Sequence, residues 1–401
     1  MADNILYYIT RWEVGTAYKN IRLMQKNFGG IIIKDDLSQA IECLQNHDIK
    51  IIVVRGDNRP DFRLATKRNI PYILIENDIS SMRCGNDLKL EKEMLENASA
   101  VIFTSEEHSD YCNKKYNIKY SKVIHTRPLK EDLEFVKKPK LDGLNLVYAG
   151  GMSYSWRYRF TDYGYRAYHE IFKRFIDNGW NVHLYPAIDR VRMTEYQAIG
   201  CIPHGKLPYK ELLSEMSQYT AGFHGYNKDD VPEMAWNYTK TCRGNKIWDY
   251  LMAGIPTIGY QGGNGMKIYN NKWGIALRSL SDKVIQNIPS RLEKINITDE
   301  LKLANVMDND LNIYEGIIDK AMEESKIMAR LPKVSIPKEI RYKDGDIVIQ
   351  VENKRPYIIT RGGFIFNPQE KTKPLVVSKM QWKEIKAHVG LRILYIQGGI
   401  I

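Results

Sequence analysis

Six short apolar runs constrain this chain most. They fall at Ile5–Thr10, Ile31–Lys34, Ile51–Val54, Tyr72–Glu76, Ala100–Thr104 and Lys122–His125, separated by amphipathic stretches such as Asp35–Asn46 and Glu91–Ala98. Continuous rather than alternating apolar runs belong to strands buried on both faces. Strands that alternate with helical patterns imply βαβ units and a parallel sheet. The lysine-rich stretch Lys137-Lys138-Pro139-Lys140 reads as an interdomain linker, and a second series follows it. Strands are predicted at Leu144–Ala149, Asn181–Pro186 and Ala221–Tyr226, and helices at Arg166–Asn178 and Tyr209–Tyr219. A long helical stretch near Asp310–Arg330 closes the series. Beyond it the pattern changes. Ile347–Val351, Tyr357–Thr360 and Phe364–Phe366 read as strands, with turns at Asp344-Gly345-Asp346 and Gly362-Gly363. The expected fold class is therefore α/β: two Rossmann-like domains, residues 1–136 and 141–331, and a small β-rich appendage, residues 332–401.

A length of 401 residues suffices for two or three domains with cores of their own. The chain is 43% apolar and 27% charged, the balance of a folded soluble protein. No apolar run approaches the length of a membrane span. The opening residues lack a basic n-region and read as a first strand rather than a signal peptide. Cys43, Cys84, Cys112, Cys201 and Cys242 are scattered, odd in number and without a CxxC pair. That pattern fits reduced thiols in a cytoplasm and argues against a zinc site. The net charge of +11 favours anionic partners: nucleotides, nucleic acid or acidic lipid surfaces. Residues 331–401 carry 13 Lys and Arg against 6 Asp and Glu, so the appendage is basic.

Chemistry concentrates in RGNKIWDYLMAGIPTIGY, residues 243–260. Lys246 and Asp249 stand three apart at the start of a helical pattern and share one helix face. A helix N-terminus with a cation beside it suits a diphosphate. A carboxylate one turn on suits a ribose diol. Asn245 is placed to cap this helix, and Gly254-Ile255-Pro256 ends it. Gly150-Gly151 follows a predicted strand, where glycine lets backbone N–H groups approach a phosphate. Arg157 and Arg159, just beyond, are candidates to pair with that diphosphate, and Ser153 lies between. His204 and Gly205 open a turn expected to face the nucleotide base, while His224 and Tyr226 end a strand near the same place. In the first domain, Asp78 closes the strand ending at Glu76, where a carboxylate can act as general base. A turn or cap role is the plainer reading of the same position. Glu13, after the first strand, is a second acidic candidate, and Gly15 lets its loop fold back toward the donor.

The second half resembles GT-B glycosyltransferases, and in particular the phage DNA β-glucosyltransferases. The likeness runs in order through LVYAGG, GWNVHLYP, HGKLPYKELLSEMSQYTAGFHGYN and KIWDYLMAGIPTI, within residues 144–285. Those enzymes show a strand ending Tyr-Gly-Gly, a Gly-x-Asn strand, a Thr-Gly-Lys-Ile-Pro turn and an Arg-x-Trp-Glu motif. In that motif the arginine grips the diphosphate and the glutamate the ribose, and Lys246 and Asp249 hold those places here. Lysine is a point charge rather than a bidentate fork. The family's base is an Asp followed by Ile at an N-domain strand end, and YILIENDIS places Asp78 there. Ser153, Arg157 and Arg159 are neighbours of the family's phosphate ligands rather than positional matches.

The resemblance implies a cleft between two domains, a UDP-sugar donor with glucose as the foremost sugar, and attack by a hydroxyl that Asp78 deprotonates. It makes a hydroxymethyl-pyrimidine in phage DNA the leading acceptor, with duplex DNA as partner. A cell-envelope glycan or lipid-linked acceptor, with peripheral membrane contact, is the alternative. A non-catalytic nucleotide-sugar binding module or an epimerase is the third reading. Magnesium or manganese is compatible with the diphosphate, although no ligand cluster marks a tight metal site.

Overall fold

The computed structural model describes residues 4–9, 16–34, 36–56, 60–85, 88–153, 155, 157, 159–161, 163–186 and 193–328, and five short strands between 339 and 376. Six strands form the first sheet: β1 (Ile5–Ile9), β2 (Ile31–Lys34), β3 (Ile51–Arg55), β4 (Tyr72–Glu76), β5 (Ala100–Phe103) and β6 (Ser121–Val123). Their order is β2-β1-β3-β4-β5-β6, and every pairing is parallel. The second sheet holds β7 (Leu144–Gly150), β8 (Trp180–Pro186), β9 (Ile202–Pro203), β10 (Ala221–Gly225), β11 (Thr257–Tyr260) and β12 (Gly274–Leu277). Its order is β12-β11-β10-β7-β8-β9, again all parallel. Each predicted apolar run is a strand, shifted by a residue or so at its ends. The physical reason is visible in β3 and β4, where Ile52, Val53, Ile73 and Leu74 are fully buried. Apolar residues on both faces are needed where helices cover a parallel sheet on both sides.

Two departures from chain order matter. The stretch read as a linker is fastened to the second domain: Lys138 N donates to Ser217 Oγ at 2.9 Å, and Lys140 Nζ to the Tyr219 carbonyl at 2.8 Å. The long helix Leu311–Met328, which follows the second series in sequence, packs on the first sheet instead. Tyr314, Ile317 and Ala321 are fully buried in one core with Tyr7, Ile51 and Ile73. This helix carries its apolar stripe toward a core that it shares with Ile21, Leu23 and Met24 of the first domain's helix Thr16–Phe28. Beyond it, β13 to β17 (Glu339–Lys343, Asp346–Gln350, Tyr357–Ile359, Phe364–Phe366, Leu375–Val376) form an antiparallel sheet, in line with the predicted β-rich appendage.

Both parallel sheets reverse their winding at one point, between β1 and β3 in the first and between β7 and β10 in the second. In open α/β sheets the crevice outside the strand C-termini at such a point is where ligands bind.

Candidate functional site

A cleft of about 500 Å³ lies between the two sheets. Arg55, Asn77, Asp78, Thr104 and Thr126 line it from the C-terminal ends of β3 to β6. From the second sheet come Gly150, Gly151, Pro186, Tyr226 and the start of the helix Lys246–Ala253.

Lys246 reaches over the end of β7. Its Nζ donates to the Tyr148 hydroxyl at 2.7 Å and sits 4.1 Å from that ring's centre. The Tyr148 hydroxyl in turn donates to the Gly151 carbonyl at 2.6 Å, so strand end and lysine are held together. The glycines make the approach possible. A Cβ on Gly150 would stand 3.2 Å from Lys246 Cε, at a φ of +142° that side chains rarely adopt. A Cβ on Gly151 would stand 2.4 Å from Arg166 Nη1. Arg166 is thus the second cation at this strand end. Burial, with Arg166 close by, pushes the Lys246 ammonium well below the usual lysine range. Two half-buried cations beside open backbone are the surroundings an anion requires.

Asp249 does not pair with Lys246. Its Oδ1 accepts from Lys19 Nζ at 2.9 Å, across the cleft from the helix Thr16–Phe28, and from the Tyr209 hydroxyl at 2.5 Å. The helix ends as expected: Gly254 is left-handed, φ 74°. Asn245 departs from expectation. It occupies the N-cap position in a helical conformation with no side-chain cap bond, so its amide does not satisfy the first-turn N–H groups. It does line the cleft.

Asp78 bridges the domains. The Tyr238 hydroxyl donates to it, and Arg83 lies 3.7 Å away. Burial works against the charge of this carboxylate, but Arg83, the Tyr238 hydrogen bond and Arg166 outweigh it and hold Asp78 below the usual carboxylate range. Its side chain remains 40% exposed, open on the cleft side. Glu13 lies outside the described residues.

The remaining predicted residues fall elsewhere. Arg157 is exposed, and Arg159 pairs with Asp230 at 3.1 Å. Ser153 is buried and bonds the Ser155 carbonyl. His204 stacks on Tyr185 at 4.5 Å and meets His183 at 3.0 Å. His204 and Gly205 do not line the cleft, but Lys206 and Leu207 of the same turn do. His224 sits behind the cleft wall, fully buried, with burial pushing it down to about 3. Cβ atoms on Gly244, Gly262 or Gly265 would each come within 2.9 Å of its ring, which packs a neutral imidazole beneath the Lys246 helix.

Sequence reasoning missed Arg166, Lys19 and Arg243. Arg243 ties the domains together, 2.6 Å from Glu106 and 3.3 Å from Glu107, and Asn264 also donates to Glu107 at 2.7 Å. Nearby, His108 meets Thr241 at 3.2 Å, and burial pushes its imidazole down to about 4. The signal for Arg166 was Gly164: a Cβ there would meet the Arg159 backbone, so the segment turns tightly before the helix begins at His169. Among the described residues no group of three or more His, Cys, Asp or Glu could hold a metal ion, and no helix is long and apolar enough to cross a membrane.

No protein-family model matches the chain, and no curated protein matches it in sequence. Among solved structures it is similar to sucrose-phosphate synthase from Thermosynechococcus elongatus, at 13% identity over 81% of this chain and 94% of that one, with a TM-score of 0.52. A UDP-forming α,α-trehalose-phosphate synthase from Burkholderia xenovorans is matched at 10% identity over 82% of this chain and 100% of that one, TM-score 0.49. The first likeness, with the two parallel sheets, establishes the fold. The chain has two Rossmann-like domains in the GT-B arrangement.

Proposed function

We propose that this chain is a glycosyltransferase that moves a sugar from a nucleotide-sugar to an acceptor hydroxyl. The observation that carries the reading is the pair of cations, Lys246 and Arg166, held against Gly150-Gly151 at the switch point of the second sheet, with Asp78 facing them from the first. Lys246 and Arg166 would take the diphosphate, whose developing charge they stabilise as it leaves. Asp249 would hold the ribose diol. Asp78, ionised at neutral pH, has the form a base needs to accept the proton of an attacking hydroxyl. In this reading the first domain, residues 1–136 with the helix Leu311–Met328 packed on its sheet, would take the acceptor, and the rest of residues 141–331 the donor. A magnesium or manganese ion, where one takes part, would ride on the diphosphate oxygens.

UDP as nucleotide and glucose as sugar come from the sequence resemblance, as does hydroxymethylated DNA as acceptor; the charge of +11 agrees with the last. The test is release of UDP from UDP-glucose and other UDP-sugars, with hydroxymethylated duplex DNA, unmodified DNA or neutral glycans as acceptor. Acceptor-dependent release supports transfer and names the acceptor. Absence of UDP binding by calorimetry would sink the donor reading, and binding without any release would leave a non-catalytic binding module.

A further inference from the structure

Next to Asp78 the protein exposes aromatic surface that the donor reading does not use. Tyr163 is 43% exposed and Phe160 56% exposed, both in the tight loop that ends at Arg166. Tyr163 is fixed rather than loose. Tyr165, itself buried, stacks on it at 6.2 Å between centroids and 19° between planes, and Tyr165 packs edge-on against the cleft residue Tyr226 at 5.5 Å. The Arg83 guanidinium lies 4.9 Å from the Tyr163 centroid, and the same Arg83 is 3.7 Å from Asp78. One side chain therefore separates the open ring from the carboxylate that faces the acceptor. Across the cleft mouth the helix Glu233–Thr241 adds Met234, 49% exposed.

Charge decides what such a ring receives. Of the guanidiniums at the two rings, Arg83 is matched by Asp78, and Arg159, 4.1 Å from the Phe160 centroid, by Asp230 at 3.1 Å, while Arg166, 5.8 Å from the Tyr163 centroid, belongs to the proposed diphosphate site. The two matched pairs on the exposed side of the rings offer hydrogen-bond donors and acceptors without a run of free cations. That suits hydroxyl groups, whereas a nucleic acid backbone calls for several unmatched cations. A pyranose ring carries a face of C–H groups, which packs on an aromatic ring, and a rim of hydroxyls, which bond to charged side chains.

We propose that Tyr163, with Phe160 beside it, is the platform for an uncharged sugar ring of the acceptor, and that Arg83 positions an acceptor hydroxyl at Asp78. This rests on the glycosyltransferase reading and takes a neutral glycan or glycoside, in place of hydroxymethylated DNA, as its acceptor. The experiment applies the full chain, in the presence of UDP, to an array of neutral oligosaccharides, sialylated and sulfated ones, and single- and double-stranded hydroxymethylcytosine oligonucleotides. Hits are then titrated by calorimetry. Neutral glycans should be retained, Tyr163→Ala should weaken them about tenfold, and Tyr163→Phe should hold them within about twofold. Phe160→Ala, on an exposed side chain, is the second variant and should weaken them less. Retention of only oligonucleotides or only anionic glycans would overturn the proposal, as would retention of nothing, or a Tyr163→Ala protein that binds like the wild type. UDP titrated into the same proteins separates the two readings: it should bind Tyr163→Ala as it binds the wild type, and failure to bind the wild type would refute the donor site itself.

Discussion

Lys19→Met should tighten UDP binding. Asp249 is the residue expected to hold the ribose diol, yet its Oδ1 is taken by the Lys19 ammonium at 2.9 Å, and that ammonium also sits 4.1 Å from the Tyr209 ring centre. A nucleotide that claims Asp249 must break this contact. At an effective dielectric near 20 the bare attraction at such a distance is about 6 kcal/mol. Desolvation of both partners offsets most of it. Their side chains are 14% and 18% exposed, so the pair stands at the top of the ~0.2–1 kcal/mol of open surface pairs, at about 1 kcal/mol. Methionine keeps the length of the stem and removes the charge. UDP should then bind about fivefold more tightly. Calorimetry reads this directly, and 2′,3′-dideoxyuridine diphosphate is the control, since without the diol it has no claim on Asp249 and should gain nothing. Unchanged or weaker UDP binding would refute the competition and make Lys19 a donor ligand instead.

Three further outcomes follow from the same geometry. Lys246 has a depressed pKa in the free protein, so rising pH removes its charge and a bound diphosphate restores it; UDP affinity should fall as pH rises through that pKa, with proton uptake on binding, seen by calorimetry in buffers of different ionisation enthalpy. Asp78→Asn should lower kcat by about 10²–10⁴ and leave the UDP Kd within about twofold, and because Asp78 is held below the usual range, the wild-type acid limb should lie below about pH 4; a limb near pH 6 would assign the base elsewhere. Gly151→Ala places a Cβ 2.4 Å from Arg166 Nη1, so the guanidinium must move; UDP binding should weaken about tenfold with little change in Tm, and an unchanged Kd would remove Arg166 from the donor site.

The sheets were legible because they rest on a local property: Ile51–Val54 and Tyr72–Glu76 are apolar on both faces, and only a strand covered on both sides accommodates that. The helix Lys246–Ala253 was legible for a similar reason, since Lys246, Asp249 and Gly254 lie within one short segment whose spacing fixes their faces. What failed were residues whose role depends on direction in a loop. Arg157 and Arg159 are near Gly151 in sequence, but Arg157 is exposed and Arg159 is taken by Asp230, while Arg166, fifteen positions on, returns to Gly151 after the turn at Gly164. Lys19 carries no local signal at all. It is one lysine on an amphipathic helix until the second domain brings Asp249 to it, 230 residues later. The helix Leu311–Met328 was legible as a helix, but not the sheet it covers, because an apolar stripe does not name its partner.

The proposed donor site also shows why a rule of stability is broken there. Lys246 is half-buried, bonds a neutral hydroxyl, and lies close enough to Arg166 for the two charges to disfavour one another. Buried charges are ordinarily paired, since an unpaired one costs several kcal/mol. Asp249 is near enough to help but spends Oδ1 on Lys19 and Tyr209. Replacing Lys246 with methionine should therefore raise the Tm of the free protein while abolishing UDP binding, the opposite signs expected where strain is kept for a ligand. A lysine that served only the fold would lose stability on the same change, and a lower Tm with UDP binding intact would refute the assignment of these cations to an anion.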